Sequence, residues 1–247
     1  MRLGRPVLQS VVAAHASEVW VGGPSPEVEY EGVEGGIMHA SLPEVYLARH
    51  GETAWTLTGQ HTGRTDIPLA TRGEHNAMSL RQRLNGVTFA TVLVSPLVRA
   101  RRTCELAGFG DTGKIVSELQ EWDYGDYEGR RTADIRQERP DWDLFRDGSP
   151  GGESVAAVGA RADRVIARLR AVDGHVLLFS HGHFLRVLAA RWLGLPADKA
   201  RLFVLSTAAL SILGYEHNLA EPAIRLWNDD RHVVAEYREP VEKRGNL

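Results

Sequence analysis

From residue 44 onward, short apolar runs alternate with longer segments in which apolar residues recur at helical spacing. The apolar runs predict strands at residues 45–48, 91–94, 114–117, 175–179, 202–205, 209–215 and 223–227. The helical spacing predicts helices at residues 71–84, 97–106, 153–172 and 184–193. Alternation of strands and helices is typical of βα units, so we expect an α/β domain with three α/β/α layers and a mostly parallel sheet.

Two of the predicted helices carry start signals. Thr71 is expected to cap the first helix, and Ser95 followed by Pro96 is expected to open the second. A hydroxyl can accept from a free backbone N–H at the cap, and proline suits the first helical position. Residues 202–215 are expected to supply an exposed edge strand. Such a strand can pair with a second copy of the chain, so the oligomeric state stays open.

The first 41 residues lack this alternation. A mildly apolar stretch at residues 7–16 is interrupted by polar residues, and an acidic run at residues 27–34 follows it. We therefore expect residues 1–41 to form a disordered extension and residues 42–247 to form a single domain.

Composition narrows the classes of function. The chain of 247 residues is 43% hydrophobic and 25% charged, which is typical of a soluble globular protein. A net charge of -3 argues against a nucleic-acid partner, which usually meets a strongly basic face. The single cysteine, Cys104, excludes a disulfide framework within the chain and favours a reducing, cytoplasmic setting. No apolar run approaches the ~20 residues that span a bilayer, so no membrane partner is expected.

Polar residues suited to phosphate chemistry stand at or just after the carboxyl ends of three predicted strands. His50 follows the first strand, Arg99 lies about one helical turn after the second, and His181 follows the fourth. Open α/β sheets bind ligands in the crevice outside those strand ends. We therefore expect residues that are distant in sequence to meet in one pocket.

Arg49 and His50 form a pair suited to covalent phosphoryl transfer. A neutral imidazole nitrogen can accept a phosphoryl group, and a planar guanidinium suits two-point binding of phosphate oxygens. Taken alone, an Arg-His pair favours an incidental or structural role, so its interpretation depends on the remaining residues.

Glu121 and His181 are the other candidates. Glu121 begins a run of acids and aromatics, where a partly buried carboxyl can act as a general acid or can pair with an arginine. His181 is placed to donate to a phosphate. His181 and His183 have the spacing of a metal pair, but residues two apart usually point in different directions and no third ligand motif is near. No metal is therefore expected.

The ordered set of motifs resembles the histidine phosphatase superfamily, the phosphoglycerate mutase-like clan, over about residues 43–228. The motifs that carry the resemblance are Arg49-His50-Gly51-Glu52-Thr53, Ser95-Pro96-Leu97-Val98-Arg99-Ala100, Leu119-Gln120-Glu121, Gly151-Gly152-Glu153-Ser154 and Ser180-His181-Gly182. Each motif alone is modest, but their common order and intervals are specific.

The resemblance implies a role for each matching residue. His50 would be phosphorylated in a covalent intermediate, while Arg49, Arg99 and His181 would hold the phosphoryl oxygens. Glu121 would protonate the leaving oxygen and then accept a proton from the attacking water. The attacking histidine must be neutral, whereas His181 can be protonated. We therefore expect their different environments to push the pKa values of the two histidines apart from the reference of about 6.5. Neither a metal nor a cofactor is implied.

Further positions match the pattern less completely. Gly182 stands where another branch of the family carries an aspartate as the acid, which leaves that role to Glu121. Thr56 stands where mutases commonly carry asparagine, so its contact with phosphate is in doubt. Thr62 and Gly63 match the family's substrate-binding loop.

Three functions remain open at this point. The first is a metal-independent phosphatase of a small phosphorylated metabolite, such as a sugar phosphate, with a resemblance closest to sedoheptulose-bisphosphatase-type and actinobacterial acid phosphatase members. The second is a cofactor-dependent phosphoglycerate mutase, although the long basic insertion of family mutases is absent after Glu121. The third is a non-catalytic module that binds phosphorylated ligands. Candidates for lining the pocket beyond the phosphate are His61, Arg64, Trp122, Tyr124, Tyr127, Arg131 and His183.

Overall fold

A computed structural model of the protein describes residues 42–233. The predicted extension at residues 1–41 lies outside the described residues, as does the end of the predicted domain at residue 247. Both boundaries therefore stay predictions.

A six-stranded sheet with the strand order β3-β2-β4-β1-β5-β6 forms the centre of the described structure. Neighbouring strands from β3 through β2 and β4 to β1 are parallel, whereas β5 is antiparallel to β1 and β6 is antiparallel to β5. The strands are β1 (Val45–Arg49), β2 (Thr91–Val94), β3 (Gly113–Ile115), β4 (Val176–Ser180), β5 (Leu210–Tyr215) and β6 (Pro222–Asp229). The sheet is thus mixed and mostly parallel, as the sequence predicted.

Helices connect and cover the strands. They are α1 (Ala54–Thr58), α2 (Thr71–Leu84), α3 (Val98–Leu106), α4 (Thr132–Glu138), α5 (Leu144–Asp147), α6 (Val155–Arg170) and α7 (Gly182–Trp192). Short 3₁₀ helices stand at Ser117–Leu119, Gly125–Tyr127 and Ala197–Leu202.

The central strand β4 shows why the domain has three layers. All five of its residues are buried, as expected for a parallel strand covered on both faces. Leu177 and Phe179 join a core cluster with apolar residues of α2 and α3 on one face. Val176 and Leu178 join a second cluster with residues of α6 and α7 on the other face. Because alternate residues of a strand point to opposite faces, one buried strand connects both cores.

The predicted helix starts are wrong in detail. Ala70, not Thr71, occupies the cap position of α2. Leu97 caps α3 rather than Ser95, and the first helical N–H, that of Val98, donates to the carboxylate of Asp66 at 2.6 Å. An acceptor from a distant loop therefore replaces the expected local cap.

The predicted strand at residues 202–205 does not form. The carbonyl of Leu205 accepts from the guanidinium of Arg49, and the carbonyl of Val204 accepts from the indole of Trp227. These side chains satisfy backbone groups that a strand would have paired with a neighbour. The expected edge strand is also wrong, because β5 lies between β1 and β6 and the outer position belongs to β6.

Among residues 42–233, no helix is long and apolar enough to cross a bilayer.

Candidate active site

The register of the parallel strands brings the two predicted histidines together. Arg49 at the end of β1 lies beside Ser180 at the end of β4. The next residue in each segment is a histidine, so this register places His50 beside His181. The N–H of His50 continues the ladder by donating to the carbonyl of Ser180 at 3.0 Å. The ring centroids of His50 and His181 are 5.1 Å apart.

A single contact fixes the tautomer of His50. Its Nδ1 lies 2.7 Å from the carbonyl oxygen of Gly51. Because a carbonyl can only accept, Nδ1 carries the proton in the neutral ring and Nε2 keeps its lone pair. This is the protonation state that a nucleophilic imidazole needs.

Gly51 is required by a close approach of two backbone segments. A Cβ at this position would lie 2.4 Å from the carbonyl oxygen of Gly73 in α2. The hydroxyl of Thr103 also accepts from the N–H of Gly51 at 3.0 Å. The peptide that orients His50 is therefore held by both α2 and α3.

His181 has the opposite tautomer, and both of its ring nitrogens are engaged by protein. Its Nδ1 accepts from Nε of Arg99 at 3.2 Å. Its Nε2 must therefore carry the proton of the neutral ring, and it donates to the hydroxyl of Ser95 at 2.7 Å. Ser95 and His181 are both fully buried. The hydroxyl that was expected to cap α3 instead orients a catalytic candidate.

The environments of the two histidines do not separate their pKa values in direction, contrary to expectation. Burial, with the charges of Arg99 and Arg49, lowers the pKa of His50 well below 6.5. Burial lowers the pKa of His181 well below 6.5 as well, helped by the charge of Arg99. Without a ligand, both rings are therefore neutral near pH 7.

Arg49 has a buried guanidinium donor that no described residue accepts from. One terminal nitrogen of its guanidinium donates to the carbonyl of Leu205, whereas the buried Nε has no hydrogen-bond partner among the described residues. Burial lowers the pKa of Arg49 from its ordinary value. A Cβ at Gly182 would lie 3.0 Å from the central carbon of this guanidinium, so Gly182 makes room for Arg49.

Four of the five N–H groups of the Arg99 guanidinium are engaged, three by carbonyls of a loop and one by His181. Its terminal nitrogens donate to the carbonyls of Thr62, Gly63 and Thr65 at distances of 2.9 to 3.0 Å. The carboxylate of Glu128 accepts from the N–H groups of Gly63 and Thr65 on the same loop. The predicted substrate loop is therefore held through its carbonyls by a cation and through its amides by an anion. The contact of Glu128 is not predictable from the sequence, because nothing in its surrounding residues signals it.

Glu121 lies at the N-terminus of α7. Its carboxylate accepts from the backbone N–H groups of Trp122, His183 and Phe184 at 2.8 to 3.0 Å. Free N–H groups at a helix N-terminus bind a carboxyl oxygen through hydrogen bonds, which fixes the position of this group. These contacts aim the carboxyl group at the edge of the sheet where His50 lies.

The backbone that carries Glu121 is anchored from α6. Arg161 donates to the carbonyls of Glu118, Gln120 and Glu121, and it forms an ion pair with Glu153. The Gly151-Gly152-Glu153-Ser154 motif therefore reaches the site indirectly. Its serine caps α6, and its glutamate holds the arginine that positions the Glu121 segment.

A cavity of about 230 Å³ opens between these elements. Its lining residues are Arg49, His50, Thr56, Gly59, Gln60, His61, Thr62, Glu121, Tyr124, Thr132 and His183. The cavity thus gathers the predicted residues Arg49, His50, Thr56, Thr62 and Glu121. Gln60 and Thr132 are additional lining residues whose positions no motif had singled out as binding residues.

Several other predicted site residues lie behind the cavity wall. Arg99, His181, Gly63 and Gly182 do not line this cavity, and each contacts a residue that does. The hydroxyl of Thr56 is already bonded to the backbone of Thr53 within the cap of α1. Arg99, His181, Gly63 and Gly182 therefore lie directly behind the lining side chains, whereas Thr56 lines the cavity with its hydroxyl already engaged.

Of the residues considered for the pocket beyond the phosphate, three line the cavity and four do not. His61, Tyr124 and His183 form part of its wall. Arg64 pairs with Asp123 beside a separate cavity, and Arg131 pairs with Asp134 at the surface. The remaining two, Trp122 and Tyr127, are buried in the core.

Within the part of the chain that the structure describes, no three side chains of His, Cys, Asp or Glu are grouped closely enough to hold a metal ion. His181 and His183 do point apart, since the first contacts Ser95 and the second contacts the hydroxyl of Tyr124.

Comparison with known proteins decides the family. A family model described as the histidine phosphatase superfamily, branch 1, matches residues 45–230. The chain belongs to the histidine phosphatase superfamily. This membership confirms the resemblance seen in the motifs and the predicted fold class, and it makes the protein a phosphatase.

Named relatives agree with this membership. An acid phosphatase of Mycobacterium tuberculosis is 41% identical over 182 residues, covering 72% of this chain and 89% of that protein. The sedoheptulose 1,7-bisphosphatase of Saccharomyces cerevisiae is 30% identical over 257 aligned positions, covering 76% of this chain and 94% of that protein. A solved structure of an open reading frame product of Mycobacterium tuberculosis matches with a TM-score of 0.72 at 38% identity, covering 75% of this chain and 97% of that one.

Proposed function

We propose that the protein is a metal-independent phosphomonoesterase that hydrolyses a small phosphorylated metabolite, such as a sugar phosphate, through a phosphohistidine on Nε2 of His50. The observation that carries the proposal is the tautomer of His50, in which Nδ1–H is bound to the Gly51 carbonyl and Nε2 is left with its lone pair. The unpartnered Nε–H of Arg49 supplies a charged donor for a phosphoryl oxygen beside it.

The first half of the reaction transfers the phosphoryl group to the enzyme. Nε2 of His50 attacks phosphorus, the bond from phosphorus to the ester oxygen breaks, and protonated Glu121 gives its proton to the departing alkoxide. The ring of His50 then carries a positive charge, and the Gly51 carbonyl stabilises its Nδ1–H. Phosphoryl transfer passes through a loose transition state. This state is stabilised chiefly by positioning and by fixed charges, which requires no metal.

The second half returns the enzyme to its starting state. Glu121 accepts a proton from a water molecule as the water oxygen attacks phosphorus. The bond from phosphorus to Nε2 breaks, inorganic phosphate leaves, and His50 regains its lone pair. Glu121 ends the cycle protonated, so protons balance over the two steps.

Arg99 and His181 act together in this scheme. An incoming phosphate dianion competes for the Nε–H of Arg99, which His181 otherwise accepts. Once that donor moves to phosphate, Nδ1 of His181 is free to take up a proton and to donate to a phosphoryl oxygen as well. Ser95 holds the ring through Nε2 in both states.

Hydrolysis rather than mutase chemistry is supported by the segment between Glu121 and α6. It consists of a short 3₁₀ helix and the short helices α4 and α5, and it contributes Tyr124 and Thr132 to the cavity wall. Neither residue is a cation that would retain a second phosphorylated group while the phosphohistidine waits for it.

The proposal is tested by replacing His50 and trapping the intermediate. In His50→Ala, turnover of p-nitrophenyl phosphate should fall by several orders of magnitude, and acid quenching should yield no acid-labile phosphoprotein. A matched control is His217→Ala, which removes an exposed histidine whose ring pairs with Glu221. That variant should keep both activity and phosphoprotein. Full activity in a folded His50→Ala enzyme, judged by its thermal unfolding, would sink the covalent mechanism.

A further inference from the structure

The wall of the cavity beyond the phosphate end is polar but uncharged. Once Arg49, His50 and Glu121 are assigned to the reaction, the remaining polar side chains of the lining belong to Thr56, Gln60, His61, Thr62, Tyr124, Thr132 and His183. These groups are hydroxyls, an amide and imidazoles, which can each form hydrogen bonds to a hydroxyl group of a ligand.

The histidines and the tyrosine of this wall are neutral near pH 7. Burial lowers the pKa of His61 to about 4 and that of His183 well below 6.5. Burial raises the pKa of Tyr124 well above 10. The imidazoles therefore offer hydrogen bonds and no positive charge that would bind a second anion.

Contacts within the wall agree with this neutrality. The hydroxyl of Tyr124 is 2.5 Å from Nδ1 of His183, and Nε2 of His61 is 3.3 Å from the hydroxyl of Thr132. The rings of His61 and Tyr124 lie 4.7 Å apart. The wall is a set of neutral groups that hold one another in place, with no carboxylate that would charge His61 or His183 by pairing with it.

Arginines near the cavity are bound to other groups. Arg64 pairs with Asp123, Arg130 with Glu138, and Arg131 with Asp134. Arg186 stacks over the ring of Phe145 and donates to the carbonyls of Ala200 and Arg201. Among the described residues, Arg49 is thus the one cation in the lining of the cavity.

The size of the cavity, like its lack of charge, argues against a second anionic group on the substrate. The cavity, at about 230 Å³, lies below the range of about 300–1,000 Å³ that holds drug-sized ligands. A second phosphate or a carboxylate on a small substrate would therefore lie against the neutral wall. Moving an anion out of water without pairing it with a cation has a desolvation cost, which weakens binding of the substrate.

Resting on the proposed function, we propose that the preferred substrate is the monophosphate of a small neutral polyhydroxy compound, a sugar or a polyol, and that the cavity discriminates against substrates with a second anionic group. Hydroxyl groups of such a compound exchange hydrogen bonds with water for hydrogen bonds with Gln60, His61, Thr132 and Tyr124. The specificity is set by the absence of charge at these positions as much as by their hydrogen bonds.

Two pairs of substrates isolate the effect of the second anion. Glycerol 3-phosphate and 3-phosphoglycerate differ by a hydroxymethyl group against a carboxylate at the same carbon. Fructose 6-phosphate and fructose 1,6-bisphosphate differ by a hydroxyl against a phosphate. In each pair we expect kcat/KM to be at least about tenfold higher for the compound with one anionic group, a difference that corresponds to about 1.4 kcal/mol. Equal or reversed preference in both pairs would overturn the inference.

A variant with an added cation sharpens the test. Thr132 lines the cavity at the start of α4, and its neighbour Ala133 is exposed. Thr132→Lys should raise the ratio of kcat/KM for 3-phosphoglycerate to that for glycerol 3-phosphate by about 3- to 10-fold, since about 1.4 kcal/mol is a factor of ten. Ala133→Lys adds the same charge outside the cavity and controls for long-range attraction. The same change of ratio in both variants would contradict a local effect of the wall.

Failure of this inference is distinguishable from failure of the proposed function. p-Nitrophenyl phosphate carries no second anion, so its hydrolysis and its dependence on His50 report the reaction alone. If p-nitrophenyl phosphate is hydrolysed through His50 while both 3-phosphoglycerate and the bisphosphate are preferred over their partners, the phosphatase stands and the inference is wrong. If His50→Ala hydrolyses p-nitrophenyl phosphate normally, the proposed mechanism itself is wrong.

Discussion

Ser95 offers the sharpest test of how His181 works. Its hydroxyl accepts from Nε2–H of His181 at 2.7 Å, while Arg99 donates to Nδ1 of the same ring at 3.2 Å. All three side chains are completely buried. In Ser95→Ala, the ring is left with a donor that faces no acceptor. A switch of tautomer does not help, because Nδ1–H would then face the Nε–H of Arg99.

The size of the effect follows from this unsatisfied donor. Leaving one buried donor without a partner costs about 1–3 kcal/mol. In a domain of this size, that loss lowers Tm by about 2–12 °C, at 2–4 °C for each kcal/mol. If the same contact orients His181 in the transition state, kcat/KM falls by about 5- to 150-fold, since each 1.36 kcal/mol is a factor of ten in rate.

A second serine separates the two effects. Ser180 is also fully buried and also makes a hydrogen bond of 2.7 Å, but its hydroxyl donates to the carbonyl of Leu119. Ser180→Ala should therefore lower Tm by a similar amount and leave kcat/KM for p-nitrophenyl phosphate within about threefold of the wild-type value, a change of under 1 kcal/mol. The assay is thermal unfolding and steady-state kinetics on both variants. If Ser95→Ala loses stability but matches Ser180→Ala in kcat/KM, our reasoning about His181 is refuted.

Other predictions concern protonation, the acid, Arg49 and metals. In ¹⁵N NMR of the free enzyme at pH 6.5, His50 should be neutral with its proton on Nδ1 and His181 neutral with its proton on Nε2; an imidazolium at either position would contradict the structure. Because burial and neighbouring arginines lower the pKa of His50, its nucleophilic form persists below pH 6.5 and is lost only as the pH falls through that lowered pKa. Glu121→Gln should slow hydrolysis of sugar phosphates, whose alkoxides leave poorly, more than that of p-nitrophenyl phosphate; equal losses would argue against an acid role. Gly182→Ala should lower kcat/KM by about 3- to 10-fold, because its Cβ displaces the guanidinium of Arg49. An unchanged value would show that the position of this guanidinium does not depend on a glycine at residue 182. Activity should be unchanged after dialysis against EDTA, and restoration of a lost activity by a divalent ion would contradict the metal-independent mechanism.

Local pattern was sufficient to predict most of the fold. Buried runs such as β4 and amphipathic helices such as α6 have periodicities that follow from burial of one face or of both. The predictions failed where the partner of a backbone group lies far away in sequence. The first N–H of α3 donates to Asp66 and not to the expected Ser95. The carbonyl of Leu205 accepts from the guanidinium of Arg49, whereas the sequence predicted that it would pair with a neighbouring strand.

The sequence also supplied the candidate site residues, because each stands at the carboxyl end of a parallel strand or in a motif beside it. His50, Arg49 and Glu121 line one cavity as expected. Their chemistry belongs to the residue types and is visible without coordinates.

Only the tertiary structure decided the protonation states and the contents of the wall. The tautomers of His50 and His181 depend on which group each ring nitrogen meets, namely the carbonyl of Gly51, the guanidinium of Arg99 and the hydroxyl of Ser95. The pKa values of both histidines depend on burial, which no local pattern specifies. Strand order and register set these contacts across the sheet. The motifs therefore determine which side chains gather at the strand ends, whereas packing determines which nitrogen of His50 keeps its lone pair and which charges line the cavity.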